Sequence, residues 1–200
     1  EELQIGESTS AKRLNLLQER ILNKMDANAP LSDDVITDCK QYLKDCEQNA
    51  KFLNELLPKV QAVYAKIPAD RKDFYRGHLL FQTKIHLPYI SMLKNYCNAL
   101  LSYQEKNTPR AILYAQAALK ANEAIKAVFF DAEYGKWHSW FVGSSLPWNN
   151  YTHDEIRVLI AKLKGEPVPP VRTLRFDPEF YQYQIPFSKN YPLLYPKLKQ

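Results

Sequence analysis

The stretch TPRAILYAQAALKANEAIKAVFFDAEYG, residues 108–135, decides the fold class of this chain. Thr108 and Pro109 are typical of a helix start, with the threonine as N-cap and the proline at the first helical position. Gly135 is a natural residue just beyond the last turn. Between them lies a face of small residues that lets a neighbouring helix approach closely: Ala111, Ala115, Ala118, Leu119 and Ala121. This stretch therefore predicts one long helix of a packed bundle.

Three more long helices are predicted upstream, because apolar residues recur there at spacings of three and four. The first spans about residues 10–27. The second covers 32–67, with Ser32 as N-cap and a kink or restart, rather than an end, at Pro58. The third covers 74–103, and its Gly77 favours close packing against a neighbour, because a mid-helix glycine otherwise costs about 1 kcal/mol.

A short fifth helix is predicted over residues 152–164. Thr152 and Glu155 match the S/T-x-x-E capping box, and Gly165 follows the last turn. From residue 166 the composition changes to prolines among aromatic residues, and so many rings argue against a disordered tail. We therefore expect an all-α, up-down bundle of four principal helices and a short fifth over residues 1–165. An extended arm over 166–200 would pack on that bundle.

Charge and hydropathy exclude two classes of partner. The formal charge is only +5, and basic residues alternate with acidic ones along the helices, which is typical of solvated faces. We predict no nucleic-acid partner. No run approaches the roughly 18 apolar residues of a membrane span, so none is predicted.

Three cysteines are best interpreted as small buried residues. Cys39 and Cys46 are seven positions apart on one helix, which separates their Cα atoms by about 10 Å. That distance is too long for a disulfide. A bridge from Cys97 to either of them stays open.

No motif of catalysis or cofactor binding occurs in the chain. G-x-S-x-G, the P-loop and G-x-G-x-x-G are all missing from the sequence. His78 and His86 are eight apart, not the four that set two imidazoles on one metal. Glu133 and Asp131 are the carboxylates nearest the aromatic loop, and a hydrolase would need such a pair facing across a cleft. We predict no catalytic residue, no cofactor and no metal in this chain alone.

The aromatic loop after Gly135 is the candidate ligand site. It holds all three tryptophans of the chain, and its flat rings can stack on the apolar face of a pyranose while amides and imidazoles bond the hydroxyl groups. The competing interpretation is that these rings anchor the loop on the bundle, which is the commoner use of tryptophan at a helix end. The candidate ligand-binding residues are Trp137, His138, Trp140, Trp148 and Tyr151.

Three segments carry a family resemblance: Asp73-Phe74-Tyr75, the alanine-rich helix over 111–121, and Ala132-Glu133-Tyr134-Gly135-Lys136-Trp137. Over residues 70–140 the chain resembles the helical region that follows the catalytic barrel in glycoside hydrolases of family 115, the α-glucuronidase type. The resemblance implies a secreted or periplasmic protein whose catalytic groups belong to other domains. The aromatic tail departs from the family pattern.

These observations lead to one functional expectation and one alternative. We expect a non-catalytic helical domain of a carbohydrate-processing system, which contributes to glycan binding or assembly. The alternative is a protein-interaction module that uses the small-residue helix or the aromatic arm to bind a partner or a second copy of the chain.

Overall fold

The computed structural model describes residues 29–135 and 146–171, together with Leu17 and Met25. Within those ranges every regular element is helical and no strand occurs, which confirms the all-α prediction. The α-helices are α1 (Asp33–Lys66), α2 (Lys72–Tyr75), α3 (Phe81–Gln104), α4 (Thr108–Ala132) and α5 (Leu146–Lys164). A 3₁₀ turn over Ala69–Arg71 precedes α2, and a π-helical turn over Arg76–Leu80 joins α2 to α3.

Contacts between the helices locate several of their ends. At the start of α1 the Leu31 backbone N–H donates to Gln104 Oε1 at 2.8 Å, which places this start beside the end of α3. Helix α4 returns along α3 after a short turn, and α5 packs against α4 with His153 Nε2 lying 3.7 Å from Glu123 Oε1. The core therefore lies between α1, α3, α4 and α5. Its largest fully buried side chains include Tyr96, Phe129, Leu53, Met92 and Ile125.

The small-residue face of α4 is inside the bundle. Ala111, Ala115 and Ala118 are completely buried, and Ala121 nearly so. Without large side chains on this face, α4 packs closely against its neighbours, most extensively against α3. The close approach predicted from these alanines is confirmed, and the face is used within the chain itself.

Helix α1 continues through Pro58, in agreement with the prediction that the helix does not end there. Its first half is anchored in the core, with Leu53 as the last fully buried residue. From residue 54 to residue 79 no described side chain is fully buried. The second half of α1, the 3₁₀ turn, α2 and the π-helical turn thus contribute only Leu80 to the buried residues, and this segment is called here the hairpin 54–80.

One of the two predicted N-caps is wrong. The N-cap of α4 is Asn107, whose Oδ1 accepts a hydrogen bond from the Arg110 backbone N–H at 3.2 Å, while Thr108 is already helical. Asparagine caps as well as threonine does, so sequence preference alone does not separate the two. Ser32 holds its predicted N-cap position, but its side chain makes no capping hydrogen bond.

Helix α5 is longer than predicted. It begins at Leu146, where Pro147 suits the first turn of a helix. Thr152 and Glu155 are buried in the helix interior and form no capping box. At the other end Gly165 has φ +69°, the left-handed conformation expected of a terminal glycine. The predicted first helix and most of the arm lie outside the described residues, except that Leu17 and Met25 are helical and buried.

The three cysteines are in the core as thiols, as the sequence interpretation favoured. Tyr89 and Tyr96 of α3 are buried and Tyr103 is partly buried. The Tyr103 hydroxyl donates to the Ala29 carbonyl at 3.2 Å, so this edge of the helix ties the start of the described chain to the core.

Candidate functional site

The structure describes the two helices on either side of the predicted site, α4 before it and α5 after it, but only part of the site itself. Trp137, His138 and Trp140 lie outside the described residues. The backbone of Trp148 is in the first turns of α5 rather than in an irregular loop, and Tyr151 is a partly buried residue of the same helix. The loop therefore leaves from the end of α4 and returns at the start of α5, at one end of the bundle.

A glycine contact fixes the start of this loop. Gly77, in the π-helical turn, lies directly against Tyr134, the residue before Gly135. A Cβ placed on Gly77 would be 2.6 Å from Tyr134 Cε1 and 3.1 Å from the Ala132 carbonyl oxygen, closer than side chains tolerate. The sequence predicted close packing at Gly77, and the structure identifies its partner as the residue that leads into the loop.

An ion pair supports the same contact. Lys84 Nζ of α3 lies 3.2 Å from Asp131 Oδ2 near the end of α4. Both side chains are partly exposed, so the pair contributes at most about 1 kcal/mol. Its main effect is to set the register of α4 beside the first turn of α3.

The hairpin 54–80 carries two ring contacts. Phe74 and His78 are in tilted contact, with ring centroids 4.3 Å apart and planes inclined by 49°. The Tyr64 and Tyr75 rings are 5.9 Å apart, and Lys72 Nζ lies 5.7 Å from the Tyr64 centroid. The periodicity of the two long helices predicted a continuous apolar stripe here, so sequence reasoning did not single these rings out as surface residues.

The carboxylates proposed for a hydrolase do not face each other across a described cleft. Asp131 is exposed and paired with Lys84, and Glu133 is partly buried with an interaction of its own. Two clefts are described, of about 340 Å³ between α4 and the end of α5 and about 430 Å³ beside the α3–α4 turn. Glu166 is the one carboxylate lining the first cleft, and the second has none.

The described histidines do not belong to a metal site. In the described ranges no group of three or more histidine, cysteine, aspartate or glutamate residues could hold an ion. His78 is exposed on the hairpin, whereas His86 is partly buried in α3, where burial lowers the pKa of its imidazole. The pKa of His153 is also lowered, by burial and then by Lys126, against the opposing effect of Asp154.

Polar side chains are buried along the first half of α5. Asn150, Thr152, Asp154 and Glu155 are all at most 5% exposed. Asp154 Oδ1 lies 3.6 Å from His153 Nδ1 and 3.9 Å from Arg157 Nη1. Because Asn150 is buried in a helix, the sequon Asn150-Tyr151-Thr152 cannot accept a glycan in this fold. The sequence motif alone did not reveal that constraint.

Comparisons with protein-family models, curated proteins and solved structures found no match to this chain. No helix in the described ranges has the length and apolar character needed to cross a bilayer. The resemblance to family 115 therefore has no independent support from these comparisons. The functional argument therefore depends on the end of the bundle where α4 ends and α5 begins, called here the loop end.

Proposed function

We propose that this chain is a non-catalytic helical domain of a carbohydrate-processing system, and that the loop end of its bundle binds glycan. The proposal includes the secreted or periplasmic setting implied by the resemblance. It also includes an up-down arrangement of all the helices, with the arm over 166–200 laid on their surface.

One observation carries the proposal: the hairpin 54–80, which exposes Phe74 and His78, contacts Tyr134 just before the segment that holds the tryptophans. Within that hairpin Gly77 makes the contact, and Phe74 and His78 are in tilted ring contact. Aromatic rings suit sugars because the C–H groups of a pyranose present a flat apolar face. Polar groups beside the rings then bond the hydroxyls and fix orientation.

The described residues at the same end of the bundle support a catalytic function less well than a binding function. Acid–base cleavage of a glycosidic bond needs two carboxyl groups on opposite sides of the scissile bond. Among the described residues, Asp131 and Glu133 are not arranged in that way and the two clefts hold no carboxylate pair. Binding without chemistry is the role that this arrangement supports.

A glycan array probed with the purified chain tests the proposal, with tryptophan fluorescence recorded on each hit. We expect a retained oligosaccharide to shift the emission, and Trp137→Ala and Trp140→Ala each to weaken retention by about tenfold. Phe52→Ala, an exposed aromatic change on α1, is the matched control and should leave retention unchanged. No retained glycan, or equal loss in all three variants, would rule the proposal out.

The alternative, a protein-interaction module, has one observation in its favour. Residues 54–79 of the hairpin include no buried side chain, and they expose Val63, Phe74 and Leu79. The small-residue face of α4 cannot serve as that interface, because its alanines are buried within the chain. Sedimentation of the purified chain tests for self-association, which Val63→Glu in the hairpin should abolish.

A further inference from the structure

A row of exposed lysines follows one side of α1. Its members are spaced seven, eight and seven positions apart: Lys44, Lys51, Lys59 and Lys66. At about 100° per residue, these spacings keep the four side chains within roughly 80° of one another around the helix axis, over about 33 Å of its length. Glu55 is the one exposed carboxylate of α1 in the same sector. This side of the helix therefore presents four positive charges and one negative charge to solvent.

These lysines are not neutralised within the described part of the chain. The ion pairs between described residues involve other cations, such as Lys84 with Asp131 and Lys164 with Glu166. Asp45, next to the row, is buried and accepts a hydrogen bond from Gln41 Nε2 at 2.7 Å. The positive charge of the row is consequently available to a binding partner.

An apolar stripe lies directly beside the lysine row. Phe52 and Val63 are 45% and 49% exposed, and Leu56 between them is partly buried. Their spacings of four and seven positions place the three side chains on one side of α1, with Lys59 at the border between stripe and row. An exposed apolar stripe bordered by like charges is typical of an interaction surface rather than of a solvated helix face.

The period of this face matches that of another helix. When two helices lie along each other, contacting side chains recur about every seven residues, and the charges that flank the apolar seam select the partner. A membrane surface has no such period. A second copy of the chain fits less well, because an antiparallel pair of α1 helices would set one lysine row against the other.

We infer that this face of α1 is a docking site for an acidic amphipathic helix of a partner protein. Apolar residues of that helix cover Phe52, Leu56 and Val63, and its carboxylates pair with the lysine row. One helix face buries less than the roughly 1,200 Å² of a stable interface, so the contact is weak and sensitive to salt. The inference goes beyond the proposed glycan-binding function and does not depend on it, because it concerns a different helix.

Fluorescence anisotropy with a labelled synthetic peptide tests the docking site. The probe is a stapled helix of Leu/Glu heptads, with its leucines on one face and its glutamates beside them. We expect the wild-type chain to bind it with a Kd of about 1–100 μM, and the double variant Lys51→Glu/Lys59→Glu to bind it at least about tenfold more weakly. Val63→Ala should weaken binding about threefold, and added salt should weaken it further.

A matched control separates the row from the overall charge. Lys94→Glu/Lys120→Glu reverses two exposed lysines of α3 and α4, gives the same net charge and should bind the acidic peptide as the wild type does. A second peptide with lysine in place of glutamate should bind Lys51→Glu/Lys59→Glu more tightly than the wild type. Thermal melts should show all three variants folded.

Three outcomes would overturn the inference. In the first, the wild-type chain does not bind the acidic peptide. In the second, the two double variants lose the same affinity, so that overall charge accounts for binding. In the third, the chain binds vesicles of phosphatidylcholine and phosphatidylserine through the row but not the peptide, so that the face contacts an anionic membrane. A silent glycan array would rule out the proposed function alone and leave this inference standing.

Discussion

The two halves of α1 have similar apolar spacing but different surroundings. Leu53, at the end of the first half, is completely buried, whereas Val63 in the second half is 49% exposed. Every buried residue of α1 lies in the first half, from Val35 to Leu53, and no residue of the second half is buried. Periodicity shows which side of a helix prefers to be covered. It does not show whether the chain supplies anything to cover it.

The largest expected effect tests this difference directly. Leu53→Ala should lower the free energy of unfolding by about 2–5 kcal/mol, because it leaves a cavity in a packed core. Val63→Ala should change it by no more than about 0.5 kcal/mol, because the side chain is already hydrated. Urea unfolding followed by circular dichroism measures both. A loss of 2 kcal/mol or more for Val63→Ala would mean that the hairpin is covered in solution.

A second test concerns the contact between the hairpin and the loop end. Gly77→Ala should destabilise the fold by about 1–3 kcal/mol, because its Cβ would overlap the Tyr134 ring. Alanine is otherwise the better helix former by about 1 kcal/mol, so the sign of the effect is informative. In the double variant with Tyr134→Ala most of the penalty of Gly77→Ala should disappear, and the part due to the Ala132 carbonyl oxygen should remain. A stabilised Gly77→Ala single variant would show that the two segments are not in contact.

The smallest expected effect is on the pH dependence of stability, which should depend on the partly buried His86 of α3. Burial lowers the pKa of His86 in the folded chain, so the unfolded chain takes up its proton first as the pH falls. Above the ordinary value near 6.5 the residue is neutral in both states and has no effect. Below that value the stability of the wild-type chain should decrease progressively toward the lower folded pKa.

The free energy of unfolding of two variants, measured from pH 7.5 to 5, tests the role of His86. His86→Gln should flatten the decrease in stability, and His78→Gln, at an exposed position on the hairpin, is its control. A decrease that is unchanged in His86→Gln would show that other groups, among them His153, account for the pH dependence.

Much of the helical framework could be predicted from local chemistry. Spacing of apolar residues located α1, α3 and α4, and terminal glycines with φ of +48° and +69° follow the ends of α4 and α5. The errors occurred where two local signals compete. Asn107 and Thr108 are both good caps, and the Thr152–Glu155 pair imitates a helix start although its side chains are buried inside a longer helix.

The candidate site was harder to predict for a different reason. The tryptophan-containing loop was recognisable from composition alone, but Phe74 and His78 looked like part of a buried stripe. Both are exposed because no helix in the described part of the chain covers them. Such a relation between distant segments cannot be obtained from the spacing of residues on either one.

By itself, the sequence determined that this chain is helical, where its long helices run and which small residues let two of them approach. Those properties follow from interactions between residues a few positions apart. The tertiary structure alone decided that the second half of α1 has no buried side chain, that Gly77 contacts Tyr134 and that Phe74 and His78 are exposed. Those properties depend on which helix faces end up covered, and that is a matter of packing between distant parts of the chain.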